Sequence, residues 1–154
     1  MRTSVAPSPA RAVLLLVAAL ALALGLATAP APSASAATTG QTALKAASTR
    51  AGMPYVYGAA GPTKFDCSGL TQWSFKQAGK SLPRTAAQQR ASMKKISGKA
   101  LAPGDLVFFH NSSGGVYHVG IYAGSWQIWD APKPGKNVSK RAIWAKSGVT
   151  FGRA

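Results

Sequence analysis

The chain contains no glutamate and only three acidic residues, all aspartates, against 18 lysines and arginines. The net charge of +15 predicts attraction to a polyanion, which could be nucleic acid, anionic lipid or a phosphate-bearing polymer of a cell wall. Alternatively, scattered lysines such as Lys80, Lys94, Lys95 and Lys99 only keep the protein soluble. The charge alone leaves both interpretations open.

Cysteine and histidine are also scarce. Cys67 is the single cysteine, so the chain cannot form an internal disulfide, and with only two histidines it contains no Cys/His cluster of the kind that holds zinc. Internal repeats, heptads and phosphate-binding glycine motifs are likewise missing. No metal or organic cofactor is therefore expected. An unpaired thiol in an exported protein is either buried and inert or reactive.

Only one apolar run, residues 12–29, approaches the length of a membrane span, and Arg2 and Arg11 precede it. It is followed by Ala34-Ser35-Ala36, a small-x-small cleavage signature, in an Ala/Pro/Ser-rich stretch that favours cleavage over an uncleaved anchor. We predict a signal peptide over residues 1–36 and one domain over residues 37–154. The mature protein would be secreted without a stable membrane anchor, and losing both arginines would lower its net charge from +15 to +13.

Apolar periodicity predicts three helices, over residues 41–51, 67–78 and 86–93, with Asp66 and Thr85 as N-caps of the second and third. Beyond the turn signal Pro103-Gly104-Asp105, short runs of β-branched and aromatic residues predict five strands, over residues 106–110, 118–122, 126–130, 137–140 and 149–152. Helices followed by strands are typical of an α+β fold, in which N-terminal helices pack on a small antiparallel sheet.

The predicted second helix begins at Cys67, where the helix dipole favours a thiolate. A nucleophilic thiol also needs a base, and the two candidates are His110 and His118. His118 opens a strand whose apolar alternation could hold the ring against a core, whereas His110 adjoins a Gly/Ser-rich loop. We therefore predict His118 as the base and His110 as a turn residue.

An imidazole works best when a third group fixes its orientation and tautomer. Asp105 is explained as a turn residue and Asp66 as a helix cap, which leaves Asp130 without a structural task. Asp130 ends the strand that follows His118 through a hairpin, so it can lie beside the ring. A strand-end charge facing water is the alternative.

Five blocks along the chain resemble those of the NlpC/P60 family, in the same order and with similar spacing over about residues 42–138. They are PYVYG (54–58), FDCSGL (65–70), LPRT (82–85), PGDLVFF (103–109) and HVGIY (118–122). The resemblance implies a papain-like α+β domain that hydrolyses peptide bonds in peptidoglycan stems, most often between D-glutamate and the diamino acid.

The same resemblance assigns roles to individual residues. The family's nucleophile maps to Cys67, its base to His118, and its third polar residue to Asp130, where histidine is more often found. The tyrosine near the thiol maps to Tyr55, whose hydroxyl could donate to an oxyanion, position substrate or simply pack.

By the same resemblance, Asp66 and Ser68 line the substrate cleft. Arg84 and Thr85 match the LPRT block, but a helix start explains both, so no catalytic role is predicted for them.

Three other functions are compatible with this sequence. An amidase would cut the bond between glycan and stem peptide, a catalytically silent protein would bind the wall through its charge, and an antibacterial effector would attack the walls of competitors. The expected partners are peptidoglycan stem peptides and anionic wall polymers, with no nucleic acid, and the protein is expected to be a monomer.

Overall fold

Residues 38–154 are described in the computed structural model, so the predicted signal peptide lies outside the described residues. Within these residues three helices precede the sheet, α1 at Thr39–Ser48, α2 at Cys67–Gln77 and α3 at Ala86–Ser92. Each helix is preceded by an N-cap residue whose side chain accepts a backbone N–H of the first turn. These N-caps are Thr38, Asp66 and Thr85. In this part of the chain no helix has both the length and the apolar character needed to cross a membrane.

The predicted bounds of α2 and α3 agree with the structure to within one residue. The first helix begins two residues earlier than predicted and ends three earlier. Thr38 and Gln41 form a capping box, in which each side chain bonds to the other residue's backbone N–H, at 3.2 and 3.0 Å. Because this box closes at Thr38, the helix starts at Thr39.

Six strands in the described part of the chain form one sheet in which every neighbouring pair is antiparallel. They are β1 at Lys94–Ile96, β2 at Leu106–His110, β3 at Val116–Gly124, β4 at Gln127–Asp130, β5 at Ser139–Ala142 and β6 at Val149–Arg153, with a short 3₁₀ helix at Gly98–Ala100. Their order across the sheet is β1-β6-β2-β3-β4-β5. The predicted α+β class is confirmed, although β1 was not predicted because it is a three-residue edge strand with two exposed lysines.

The prediction for β5 was wrong by two residues at each end. Val138, the β-branched residue of the predicted strand, pairs with the segment before α2. Its N–H donates to the carbonyl of Met53 at 2.8 Å and its carbonyl accepts from Gly52 at 2.9 Å. The strand that pairs with β4 therefore starts at Ser139 and includes Arg141.

The sheet is apolar on both faces. Alternate residues of β2 belong to two different clusters: Leu106 and Phe108 pack with the helices, whereas Val107 and Phe109 pack with Ile128 and Ile143. Since both sides are buried, the strand has a continuous apolar sequence. Packing against the sheet places the N-terminus of α2 near β3 and β4, which supply the remaining residues of the site.

Candidate active site

Cys67 is the first residue of α2, and the backbone around it is tightly constrained. A Cβ on Gly69 would lie 2.1 Å from the carbonyl oxygen of Ala59, so only glycine lets the first helical turn approach this loop. The N–H of Asp66 donates to the same carbonyl at 2.8 Å. These contacts fix the position of the thiol relative to the preceding segment.

Asp66 caps α2 with a fully engaged carboxylate. It accepts from the N–H groups of Gly69 and Gly58, at 2.7 and 2.9 Å, and from both terminal nitrogens of Arg84. Burial acts to raise the pKa of this carboxyl, but the hydrogen bonds from Arg84, Gly69 and Gly58 outweigh it and hold the pKa below the ordinary value. Asp66 is therefore ionised and holds the helix start together.

Ser68 is also buried, and its hydroxyl donates to Asp66 at 3.3 Å and accepts from Arg84 at 3.0 Å. Both Asp66 and Ser68 line a groove beside Cys67. That they contact substrate there stays a prediction. Arg84, which the sequence had explained by a helix start, forms an ion pair in this groove.

Gln89 is a second residue whose structural role the sequence did not predict. It is fully buried, and its side-chain amide donates to the carbonyls of Ser68 and Pro83, at 3.0 and 2.9 Å. Its oxygen accepts from the hydroxyl of Thr71 at 2.7 Å. Gln89 thus ties the first turn of α2 to the segment before α3.

His118 lies on β3 and is almost completely buried, with 5% of its surface exposed. Its Nε2 bonds to Oδ2 of Asp130 at 2.6 Å, so Nδ1 is the ring nitrogen left to interact with Cys67. The rings of Phe109 and Trp144 lie with their centroids 5.5 and 5.6 Å from that of the imidazole. The ring is therefore held in one orientation.

The pKa of His118 reflects these neighbours. Burial alone would lower it, but hydrogen bonds with Asp130 and Cys67 and the charges of both groups raise it to about 9. The ring is consequently an imidazolium at neutral pH. A positive ring next to the thiol is the electrostatic environment that favours a thiolate.

Asp130 is completely buried at the end of β4, so it is not a strand-end charge facing water. Besides His118 it binds Arg141, whose Nε lies 2.9 and 3.1 Å from its two oxygens. The guanidinium also lies 4.2 Å above the ring of Trp144, which stacks on Phe109 at 4.1 Å. Arg141 therefore neutralises a carboxylate that would otherwise be buried beside a single histidine.

An open cleft of about 760 Å³ gives access to this group. Cys67, His118 and Tyr55 line it, together with Tyr117, Pro132, Lys133, Lys136, Asn137, Ser139, Arg141 and Trp144. A second groove, of about 400 Å³, is lined by Tyr55, Cys67, Asp66, Ser68 and Arg84, among others. The nucleophile candidate thus borders two depressions.

Tyr55 borders both depressions and is half-buried. Burial raises the pKa of its hydroxyl, and the nearby groups of Cys67 and Asp66 raise it further. Tyr55 therefore keeps its proton and can act as a hydrogen-bond donor at the thiol.

His110 is not part of this cleft. Its Nδ1 bonds to the carbonyl of Gly114 at 2.9 Å and its Nε2 to the hydroxyl of Thr150 at 2.8 Å, which agrees with a structural role at the turn. Within residues 38–154, no three His, Cys, Asp or Glu side chains come together in a way that could hold a metal ion.

Comparison with known proteins agrees with the fold. The model of the NlpC/P60 family matches residues 52–150. A similar curated protein is the bifunctional muramidase/DL-endopeptidase CwlT of Bacillus subtilis, which is 45% identical over 118 residues, covering 73% of this chain and 36% of the relative. The chain therefore corresponds to about a third of that larger protein.

Two solved structures are also similar. NlpC2 from Trichomonas vaginalis superposes with a TM-score of 0.70 at 33% identity, over 76% of this chain and 47% of its own. The NlpC/p60 domain of the peptidoglycan hydrolase SagA superposes with a TM-score of 0.67 at 33% identity, over 75% of this chain and 98% of that domain. Since the family model covers well over half of the sequence, this chain belongs to the NlpC/P60 family.

Proposed function

We propose that the protein is a secreted cysteine endopeptidase that hydrolyses the stem peptides of peptidoglycan. The observation that carries this proposal is the arrangement of Cys67, at the start of α2, beside a buried His118 that bonds to the completely buried Asp130, with Cys67 and His118 lining one cleft. Relatives named DL-endopeptidase and peptidoglycan hydrolase support the substrate class.

In the first step, the Cys67 thiolate attacks the scissile carbonyl. The negative charge that develops on the carbonyl oxygen needs donors. The N–H of Cys67 is one, since no acceptor among residues 38–154 takes it, and the hydroxyl of Tyr55 is the other. The imidazolium of His118 then gives its proton to the leaving amine, and a thioester on Cys67 remains.

In the second step, the neutral His118 takes a proton from water, which attacks the thioester and releases the acid product and the thiolate. Asp130 keeps Nε2 protonated throughout, so Nδ1 performs both proton transfers. Asp130, held by Arg141, is thus a positioning residue. In this role Asp130 orients the ring of His118, as a histidine at the corresponding position more often does in the family.

Tyr55→Phe separates the donor role of Tyr55 from a packing role. Loss of one oxyanion donor lowers kcat by about 10²-fold in other hydrolases, so a fall of this order with little change in KM is expected. Steady-state hydrolysis of a soluble stem peptide measures it. Tyr122→Phe is the matched control, because that hydroxyl only accepts from the N–H of Trp126. An unchanged kcat in Tyr55→Phe would assign the ring to packing.

The bond that we propose is the one between D-glutamate and the diamino acid. Residues 37–154 are incubated with purified peptidoglycan, and the released fragments are identified by mass spectrometry, with Cys67→Ala as control. Fragments ending in glutamate support the endopeptidase. Intact stem peptides freed from glycan would identify an amidase, and no difference from the control would indicate a silent wall-binding protein.

Secretion is proposed from the first 36 residues of the sequence. If the prediction is correct, the protein recovered from the culture medium begins at Ala37, which intact-mass measurement tests. A full-length protein retained in the membrane fraction would instead indicate an uncleaved anchor.

A further inference from the structure

In the ion pairs between side chains of opposite charge, the aspartates are bound by arginines and not by lysines. Each of the three aspartates is bound by an arginine: Asp66 by Arg84, Asp105 by Arg153 and Asp130 by Arg141. No lysine in the described part of the chain forms an ion pair with a carboxylate. Any lysine that lies at the cleft can therefore bind an anion supplied by the substrate.

Two such lysines, Lys133 and Lys136, lie in the loop between β4 and β5 and line the large cleft. Both are exposed. None of the described residues that line this cleft is acidic, and Asp130 is buried and bound to His118 and Arg141. This side of the cleft is thus positively charged without an acidic residue of its own to compensate.

The loop that carries these lysines is fixed to the active site. The carbonyl of Lys136 accepts from the N–H of Tyr55 at 2.9 Å, and the N–H of Lys136 donates to the carbonyl of Lys133 at 3.1 Å. At its end, Val138 is buried and bonds to Met53. These backbone hydrogen bonds attach the loop to Tyr55, which lines the cleft together with Cys67.

The proposed mechanism determines which half of the substrate meets these lysines. His118 must reach the leaving amine to protonate it, so the leaving group lies on the side of Cys67 where the imidazole is. The large cleft contains His118, whereas the groove lined by Asp66, Ser68 and Arg84 does not. The leaving group therefore occupies the cleft that Lys133 and Lys136 border.

We propose that Lys133 and Lys136 form a subsite for a carboxylate on the leaving group. This inference rests on the proposed function and extends it to substrate choice: the residue after the scissile bond carries a free carboxylate, on its side chain or at a nearby C-terminus. Two ammonium groups that have no ion-pair partner among residues 38–154 bind such a group without first breaking an ion pair within that part of the chain.

Three synthetic stem peptides test the proposal. The first has a diamino acid with a free side-chain carboxylate and a free C-terminus, the second has a carboxamide on that side chain, and the third has an amidated C-terminus. For the wild-type protein we expect kcat/KM to fall about tenfold, mainly through KM, when the recognised carboxylate is amidated. The peptide that loses affinity identifies the source of the carboxylate.

The double variant Lys133→Ala/Lys136→Ala should lose this preference while hydrolysing the amidated peptide as the wild type does. Lys94→Ala/Lys95→Ala is the matched control, because it removes the same charge from β1, at the opposite edge of the sheet from β5, and should keep the preference.

The subsite would be overturned if the wild type had the same kcat/KM on all three peptides. It would also be overturned if the double variant lost the same factor in kcat/KM on all three. If the wild type hydrolysed none of the peptides, the proposed function would fail, and the subsite with it.

Discussion

Replacing Cys67 by alanine is expected to lower stem-peptide hydrolysis by about 10⁴-fold or more, and replacing His118 by alanine should have an effect of similar size. Both residues act in one covalent step, because the thiolate forms the thioester and the imidazolium protonates the leaving amine. Removing either one stops the same step, so the double variant should be no worse than each single variant. Initial rates on a soluble stem peptide measure all three.

His110→Ala is the control for the loss of a histidine. Its ring bonds to Gly114 and Thr150, away from the cleft, so thermal stability can fall in this variant while kcat stays at the wild-type value. Full activity of Cys67→Ala or His118→Ala would contradict the assignment of nucleophile or base.

Asp130→Asn is expected to lower kcat by about 10²-fold or more and to change the pH dependence. Asparagine is nearly isosteric, but it is neutral and can present its amide group to Nε2, which would stabilise the wrong tautomer of His118. Loss of the carboxylate also removes one of the groups that raise the pKa of the ring.

The sign of the pH effect follows from the role of the imidazolium. The leaving amine needs the protonated ring, so wild-type kcat/KM should fall as the pH rises through about 9. In Asp130→Asn this decline should move to lower pH. The control Asp105→Asn breaks an ion pair with Arg153 and should leave the pH of this decline unchanged. A decline at the same pH in Asp130→Asn and the wild type would show that the carboxylate does not tune the ring.

The helices and most strands could be predicted because their signals are local. Asp66 and Thr85 cap the helices that they were expected to cap, and β2 has the predicted bounds. The exceptions are β1, a three-residue edge strand, and β5, since Val138 has a strand-forming side chain but pairs with Met53 rather than with β4. β3 also extends two residues beyond its predicted bounds at each end. Sequence periodicity does not indicate which segment a strand residue will pair with.

The contrast between local sequence signals and pairing of distant segments also explains which site residues were missed. Cys67, His118 and Asp130 are chemically distinctive and rare, so their types alone suggested a site. Arg141 lay outside the predicted strand, and only the true register brings it to Asp130.

Lys133 and Lys136 could not be singled out from the other lysines of the chain by sequence. Their importance depends on two facts that only the folded structure provides: every aspartate is bound by an arginine, and the loop is attached to Tyr55. A charge pattern in a sequence gives the sign of a surface but not the pairs within it.

Because Cys67 is the only cysteine, a thiol reagent can test the central claim without mutation. The protein is modified to increasing extents with a small reagent that forms a reversible disulfide, the modified fraction is read from the intact mass, and hydrolysis of a stem peptide is measured on each sample. We predict that activity falls in proportion to the modified fraction, reaches zero at complete modification, and returns when a reductant removes the adduct. Undiminished hydrolysis by fully modified protein would show that Cys67 is not the nucleophile.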